Sequence, residues 1–175
     1  PSTLQSQIVM STAEVGNYQQ VVQNPANRKI FIVHGSDEAA KLTAKIFVEK
    51  AGLEPVILHE QPDGGKTIIE KFEACSDVGF AIVLLTPDDL GGKASDGKDK
   101  LRQRARQNVV LELGYFMGRL QRSRVCALIK GDIEIPSDYL GVVWTKLDDE
   151  GAWKMKLVKE LKAAGYEIDA NRALY

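Results

Sequence analysis

From Lys29 onward the chain alternates short apolar, β-branched runs with stretches of helical periodicity, and few folds accept that alternation. The run Lys29–His34 (KIFIVH) reads as a buried strand, and Glu54–His59, Val78–Thr86, Val125–Lys130 and Val142–Leu147 follow as four more. Val78–Thr86 (VGFAIVLLT) is the most apolar and belongs at the sheet centre, where both faces are covered. Between the strands, helices are expected over Asp37–Ala51, Thr67–Ser76, Leu101–Gln121 and Ala152–Ala164. Ser36 or Asp37 can cap the first by accepting a bond from a free backbone N–H, and Gly52 ends it. Pro87–Lys100 is polar, Gly-rich and expected to be a mobile loop. Strands separated by helices imply a doubly wound α/β fold: a mostly parallel five-stranded sheet with right-handed crossovers and helices on both faces. Such sheets bind ligands outside the carboxyl ends of their strands. The loops there are His34–Glu38, His59–Lys66 and Thr86–Lys100, and the helix from Leu101 starts at the same edge.

The expected domain is residues 29–175. Residues 1–28, rich in Gln, Asn and Ser with little periodicity, are expected to be a linker or arm, with a short helix near Leu4–Val9. With 175 residues, 44% hydrophobic and 27% charged, the chain can bury a real core. A formal net charge of -1 gives no global field toward nucleic acid or an anionic membrane. No apolar run reaches the roughly 20 residues that span a bilayer, and no secretion-signal pattern opens the chain. A cytoplasmic protein is therefore expected. Cys75 and Cys126 have no CxxC partner and read as reduced, partly buried thiols, so no metal site is expected.

The helix over Leu101–Gln121 holds a lone carboxylate, Glu112, among apolar residues in NVVLELGYFM. On a 3.6-residue period Val109, Leu113, Phe116, Met117 and Leu120 form the core stripe. Arg104, Asn108, Glu112, Tyr115 and Arg119 run beside it. A Glu there fits equally a solvated polar face and a carboxylate that stabilises a cation at a cleft. In the loop His34-Gly35-Ser36-Asp37-Glu38 the helix start can cap, receive a ligand phosphate, or both. The chain has neither GxGxxG nor GxxxxGK[ST], which disfavours redox-dinucleotide and P-loop chemistry. His34 and His59, at strand ends, read as polar lining or simple edge positions. Lys100, Arg102, Arg104 and Arg106 form a local basic cluster, commonly just a solvated helix start, but also suited to a dinucleotide's pyrophosphate.

Taken together, the runs FIVHGSDE, LEPVILHEQPDGGKTIIEKFE, DVGFAIVLLTPDD, RARQNVVLELGYFMGRL, RVCALIKG and IPSDYLGVVW resemble the predicted nucleotide-binding TIR-like family. Its members are effectors of bacterial cyclic-nucleotide anti-phage systems (CBASS and Pycsar). The resemblance runs in order from Lys29 to the C-terminus and implies a TIR or flavodoxin-like fold. It implies NAD+ glycohydrolase activity triggered by assembly, with Glu112 as catalytic residue. His34, Gly35, Ser36, Asp37, Pro87, Asp88, Arg104, Asn108 and Tyr115 are then expected around the substrate. Pro62, Asp63, Gly64, Gly65 and Lys66 correspond to the loop through which TIR domains assemble. NAD+ would be the substrate rather than a cofactor, and self-association and a fused or partner cyclic-nucleotide sensor are the expected partners. Two alternatives stay open: a non-enzymatic TIR-like adaptor, and a nucleoside deoxyribosyltransferase-like enzyme.

Overall fold

The computed structural model describes residues 27–58, 77–95, 97–135 and 142–174. Five parallel strands form the main sheet: β1 (Lys29–Val33), β2 (Glu54–Val56), β3 (Phe80–Leu85), β6 (Val125–Ile129) and β7 (Val143–Lys146). Their order is β2-β1-β3-β6-β7. The β1–β3 register sets Val33 beside Val83, and the β3–β6 register sets Leu85 beside Ile129. β3, FAIVLL, is buried at all six positions, because a central strand covered on both faces has no solvent side.

Alternate residues of each strand feed two cores. Ile30, Ile32, Phe80, Ile82, Leu84, Cys126 and Leu128 face α1 (Glu38–Lys50), α3 (Ala152–Ala163) and α4 (Ala170–Leu174). Phe47 of α1 and Trp153 of α3 close that layer, with ring centroids 5.2 Å apart. Phe31, Val33, Ala81, Val83, Leu85 and Ala127 face α2 (Gln107–Leu120) through Val109, Leu113, Phe116 and Leu120. Phe31 of β1 meets Phe116 of α2 at 4.5 Å between centroids.

The structure departs from the sequence expectations in three places. The helix expected from Leu101 starts at Gln107, and the preceding residues form an antiparallel ribbon, β4 (Asp89–Gly91) with β5 (Arg102–Arg104). Pairing across Gly91–Arg102 satisfies both backbones, so part of the expected mobile loop is ordered structure. Asn27 and Arg28, expected in the arm, are bonded to the domain. Arg28 donates to the Gly52 carbonyl at 2.6 Å, Asn27 donates to Asp77 at 3.1 Å, and Glu54 N–H donates to the Arg28 carbonyl. The short C-terminal helix α4 had no strong periodic signal; Ala173 buries against the first core. The expected helix over Thr67–Ser76, the arm up to residue 26, and Cys75 lie outside the described residues. Among the described residues no helix is long and apolar enough to cross a membrane.

Candidate functional site

The chain passes from β1 outward to β2 and then returns to the other side of β1 as β3, so the topological switch point lies between β1 and β3. Their carboxyl ends deliver the loops from His34 and from Thr86 to the same place. Asp88 joins them: its carboxylate accepts from Ser36 N–H at 3.2 Å and from the buried Thr86 hydroxyl at 2.8 Å. Gly35 permits this approach, since a Cβ there would overlap the Asp88 carboxylate. His34 is half-buried and donates through Nδ1 to the Gly35 carbonyl at 2.9 Å, which sets its tautomer. Asp37 caps α1, accepting from Ala40 N–H at 2.9 Å, and pairs with Lys130 at the end of β6, 2.5 Å away. That ion pair and the cap hold the Asp37 carboxyl below the usual carboxylate range. Lys130 was not singled out in the sequence, although its position at a strand's carboxyl end is the signal that would have found it.

α2 begins at this edge and carries Glu112 about 8 Å along its axis, at 1.5 Å per residue. Glu112 is 9% exposed and is the only buried carboxylate among the described residues. Burial pushes its carboxyl up to about 7. No hydrogen-bond partner within the described residues offsets that desolvation. Of its expected neighbours on this flank of the helix, Asn108 is exposed and Tyr115 is half-buried, with its ring 5.3 Å from Phe116.

Arg104 is placed differently from the sequence expectation. It stands in β5, not on the helix, and lines a cavity of about 520 Å³ with Gly92, Lys93, Ala105, Gln107, Val110, Glu134 and Ile135. Val110 and Glu112 lie about 200° apart around α2, so that cavity is on the opposite flank from Glu112. The structure thus brings His34, Gly35, Ser36, Asp37 and Asp88 together at the switch point, with the exposed Pro87 beside them. It puts Glu112, Asn108 and Tyr115 on one flank of α2 and Arg104 on the other. His59 and the expected assembly loop Pro62, Asp63, Gly64, Gly65 and Lys66 lie outside the described residues.

Comparison with known proteins adds a family likeness. Residues 29–149 match the family model described as the CAP12/Pycsar effector protein TIR domain. The chain is 53% identical over 171 residues to the uncharacterized protein YuaY of Escherichia coli K12, covering 91% of this chain and 56% of YuaY. It is 36% identical over 131 residues to Protein tirC of Dictyostelium discoideum, covering 70% of this chain and 65% of tirC. It is 34% identical over 79 residues to the Pycsar effector protein PaPycTIR of Pseudomonas aeruginosa, covering 44% of this chain and 23% of that protein. The chain therefore spans less than two thirds of each of these relatives.

Proposed function

Because the chain belongs to the TIR-domain family of the CAP12/Pycsar effectors, we propose that it is an NAD+ glycohydrolase that acts as an anti-phage effector, with Glu112 as its catalytic residue. The observation that carries the reading is the burial of Glu112, the one buried carboxyl among the described residues and without a partner among them, on a helix that begins at the ligand-binding edge of the sheet. A buried carboxyl costs stability unless something opposite in charge comes to it, and the oxocarbenium-like ribose of the transition state is such a partner.

The nicotinamide of NAD+ leaves as a neutral base from a cationic precursor, so the reaction needs no strong general acid. Positive charge develops on the ribose as the C–N bond lengthens, as it does in glycoside hydrolysis. The ionised Glu112 stabilises that charge and accepts from ribose hydroxyls. Water then adds to the ribose carbon, or an adenine nitrogen does, and in either case one proton is lost to solvent, giving ADP-ribose or a cyclic product. The clamped loop of Gly35, Ser36 and Asp88 contributes a rigid rim beside which the rest of the dinucleotide lies. A cyclic-nucleotide sensor and contacts between TIR domains would supply the trigger.

The test is release of nicotinamide from NAD+, followed by chromatography at high protein concentration. Wild-type protein should release it, and a correctly folded Glu112→Gln variant should lose at least about a hundredfold in rate, the scale expected for removing one electrostatic stabiliser. Undiminished release by that variant would remove Glu112 from the mechanism. Absence of release by the wild type at every concentration would instead favour an adaptor role.

A further inference from the structure

Outside the Glu112 flank, the densest gathering of unused charge is the ribbon of β4 and β5. The cavity of about 520 Å³ lined by Lys93 and Arg104 is continued by a second of about 540 Å³, lined by Gly91, Asp99, Lys100, Leu101 and Arg102. The two share Gly92, Lys93 and Glu134 in their walls. Four cations therefore line two adjoining parts of one hollowed surface: Lys93 and Arg104 in the first, and Lys93, Lys100 and Arg102 in the second. Two carboxylates, Asp99 and Glu134, stand in the same walls, yet among the described residues none of the four cations makes an ion pair with either.

The hollow is built around Arg104. Its guanidinium packs against Gly91, where a Cβ would overlap it, so glycine at that position is what gives the group its seat. Arg104 Nε is buried there with no hydrogen-bond partner among the described residues. Burial of Nε with no acceptor among the described residues partly desolvates the charge, and a ligand anion held by the terminal nitrogens offsets that cost. The far wall is held by backbone. Glu134 N–H donates to the Gln103 carbonyl at 2.7 Å, and Glu134 forms a single parallel bridge with Arg104 beside the ribbon. Gln107, the first residue of α2, and the carboxylate of Glu134 add groups that can hydrogen-bond hydroxyls or amines.

We propose that this hollow is a binding site for the diphosphate of a nucleotide-sized anion, with Arg104 and Lys93 as its phosphate contacts, distinct from the Glu112 flank of α2. Volume, charge and polar groups agree with that class: a lone phosphate would leave most of the space empty, and an uncharged ligand would leave the excess of four cations over two carboxylates uncompensated among the described residues. The site is independent of whether Glu112 cleaves NAD+.

Titration calorimetry with inorganic pyrophosphate tests it on the full chain. One-site saturable binding is expected. Arg104→Gln and Lys93→Gln should each weaken it by about tenfold or more, the effect of deleting one charge-assisted contact. Glu112→Gln should bind as wild type. Lys93 is exposed, so its replacement leaves the core intact even if Arg104→Gln loosens the ribbon. Displacement of the bound pyrophosphate by NAD+ in the Glu112→Gln protein would identify the occupant as the diphosphate of that dinucleotide. Displacement by ADP and not by NAD+ would identify a separate nucleotide. No saturable heat with pyrophosphate, or equal binding by wild type and both cation variants, would overturn the proposal, as would loss of binding in Glu112→Gln.

Discussion

Two carboxylates at this sheet edge are shifted in opposite directions, and their stability signatures are opposite too. Asp37 is held low by Lys130 and by its capping role, so its contribution is present above the unfolded-state value near 3.8 and is lost as pH falls through its lower folded value. Lys130→Gln should therefore move the acid-unfolding midpoint, followed by circular dichroism, to higher pH; an unmoved midpoint would mean that the ion pair carries no linkage. Glu112 is held high, so the folded state binds its proton more tightly and ionisation costs stability above pH 7, with the cost gone below the unfolded value near 4.5. At about 1.4 kcal/mol per pH unit, the rise from 4.5 to about 7 corresponds to about 3 kcal/mol. Relative to wild type, Glu112→Gln should gain stability between pH 5 and pH 8 in urea melts, and a pH-independent difference would contradict the burial argument. If the ionised form is the one that stabilises the ribose cation, kcat/KM for NAD+ should climb with pH through about 7. The kcat limb should lie lower, because the cationic nicotinamide of bound NAD+ favours the carboxylate.

The elements owe their ends to identifiable groups, and two of those ends can be tested. Asn27 and Arg28 stitch the start of β1 to Gly52 at the end of α1 and to Asp77 before β3. A chain starting at Asn27 should melt higher than one starting at Lys29. The difference should be a few degrees, since the lost bonds are worth about 1–2 kcal/mol in a domain of this size. Equal midpoints would show that the stitch is solvated away. At the end of α2, Gln121 has φ 70° and ψ 158°, a region that side chains rarely adopt. Gln121→Gly should raise the midpoint slightly, the relief of strain exceeding the added freedom of the unfolded chain; a lower midpoint would count against strain there.

On the scale of the whole molecule, the resemblance to TIR domains that assemble implies that the proposed activity depends on association as well as on Glu112, and association follows mass action. Specific NADase activity should therefore rise steeply from nanomolar to high micromolar protein. Activity that stays flat over that range would mean that one chain holds a complete site.

Among the described residues, the five strands of the main sheet and the cores of α1, α2 and α3 were legible in the sequence because burial on both faces demands unbroken apolar runs such as FAIVLL, and one-sided burial demands the 3.6-residue stripe of Val109, Leu113, Phe116 and Leu120. The placing of His34, Gly35, Ser36 and Asp88 at one edge was legible too, since parallel topology alone sends the carboxyl ends of β1 and β3 to the same side. Glu112 stood out as a carboxylate beside a core stripe, but whether it was solvated or buried depends on packing between α2 and the sheet, which no local pattern encodes. The start of α2 was misjudged for a related reason: Leu101 to Arg106 has no helix-breaking residue, and only pairing with Asp89–Gly91 draws it into a strand. That pairing takes Arg104 off the helix and seats it over Gly91, across α2 from Glu112. Local periodicity records which face of an element is buried. Contacts between residues far apart in sequence are set by competition among backbone hydrogen bonds, and that competition is resolved only when the elements pack.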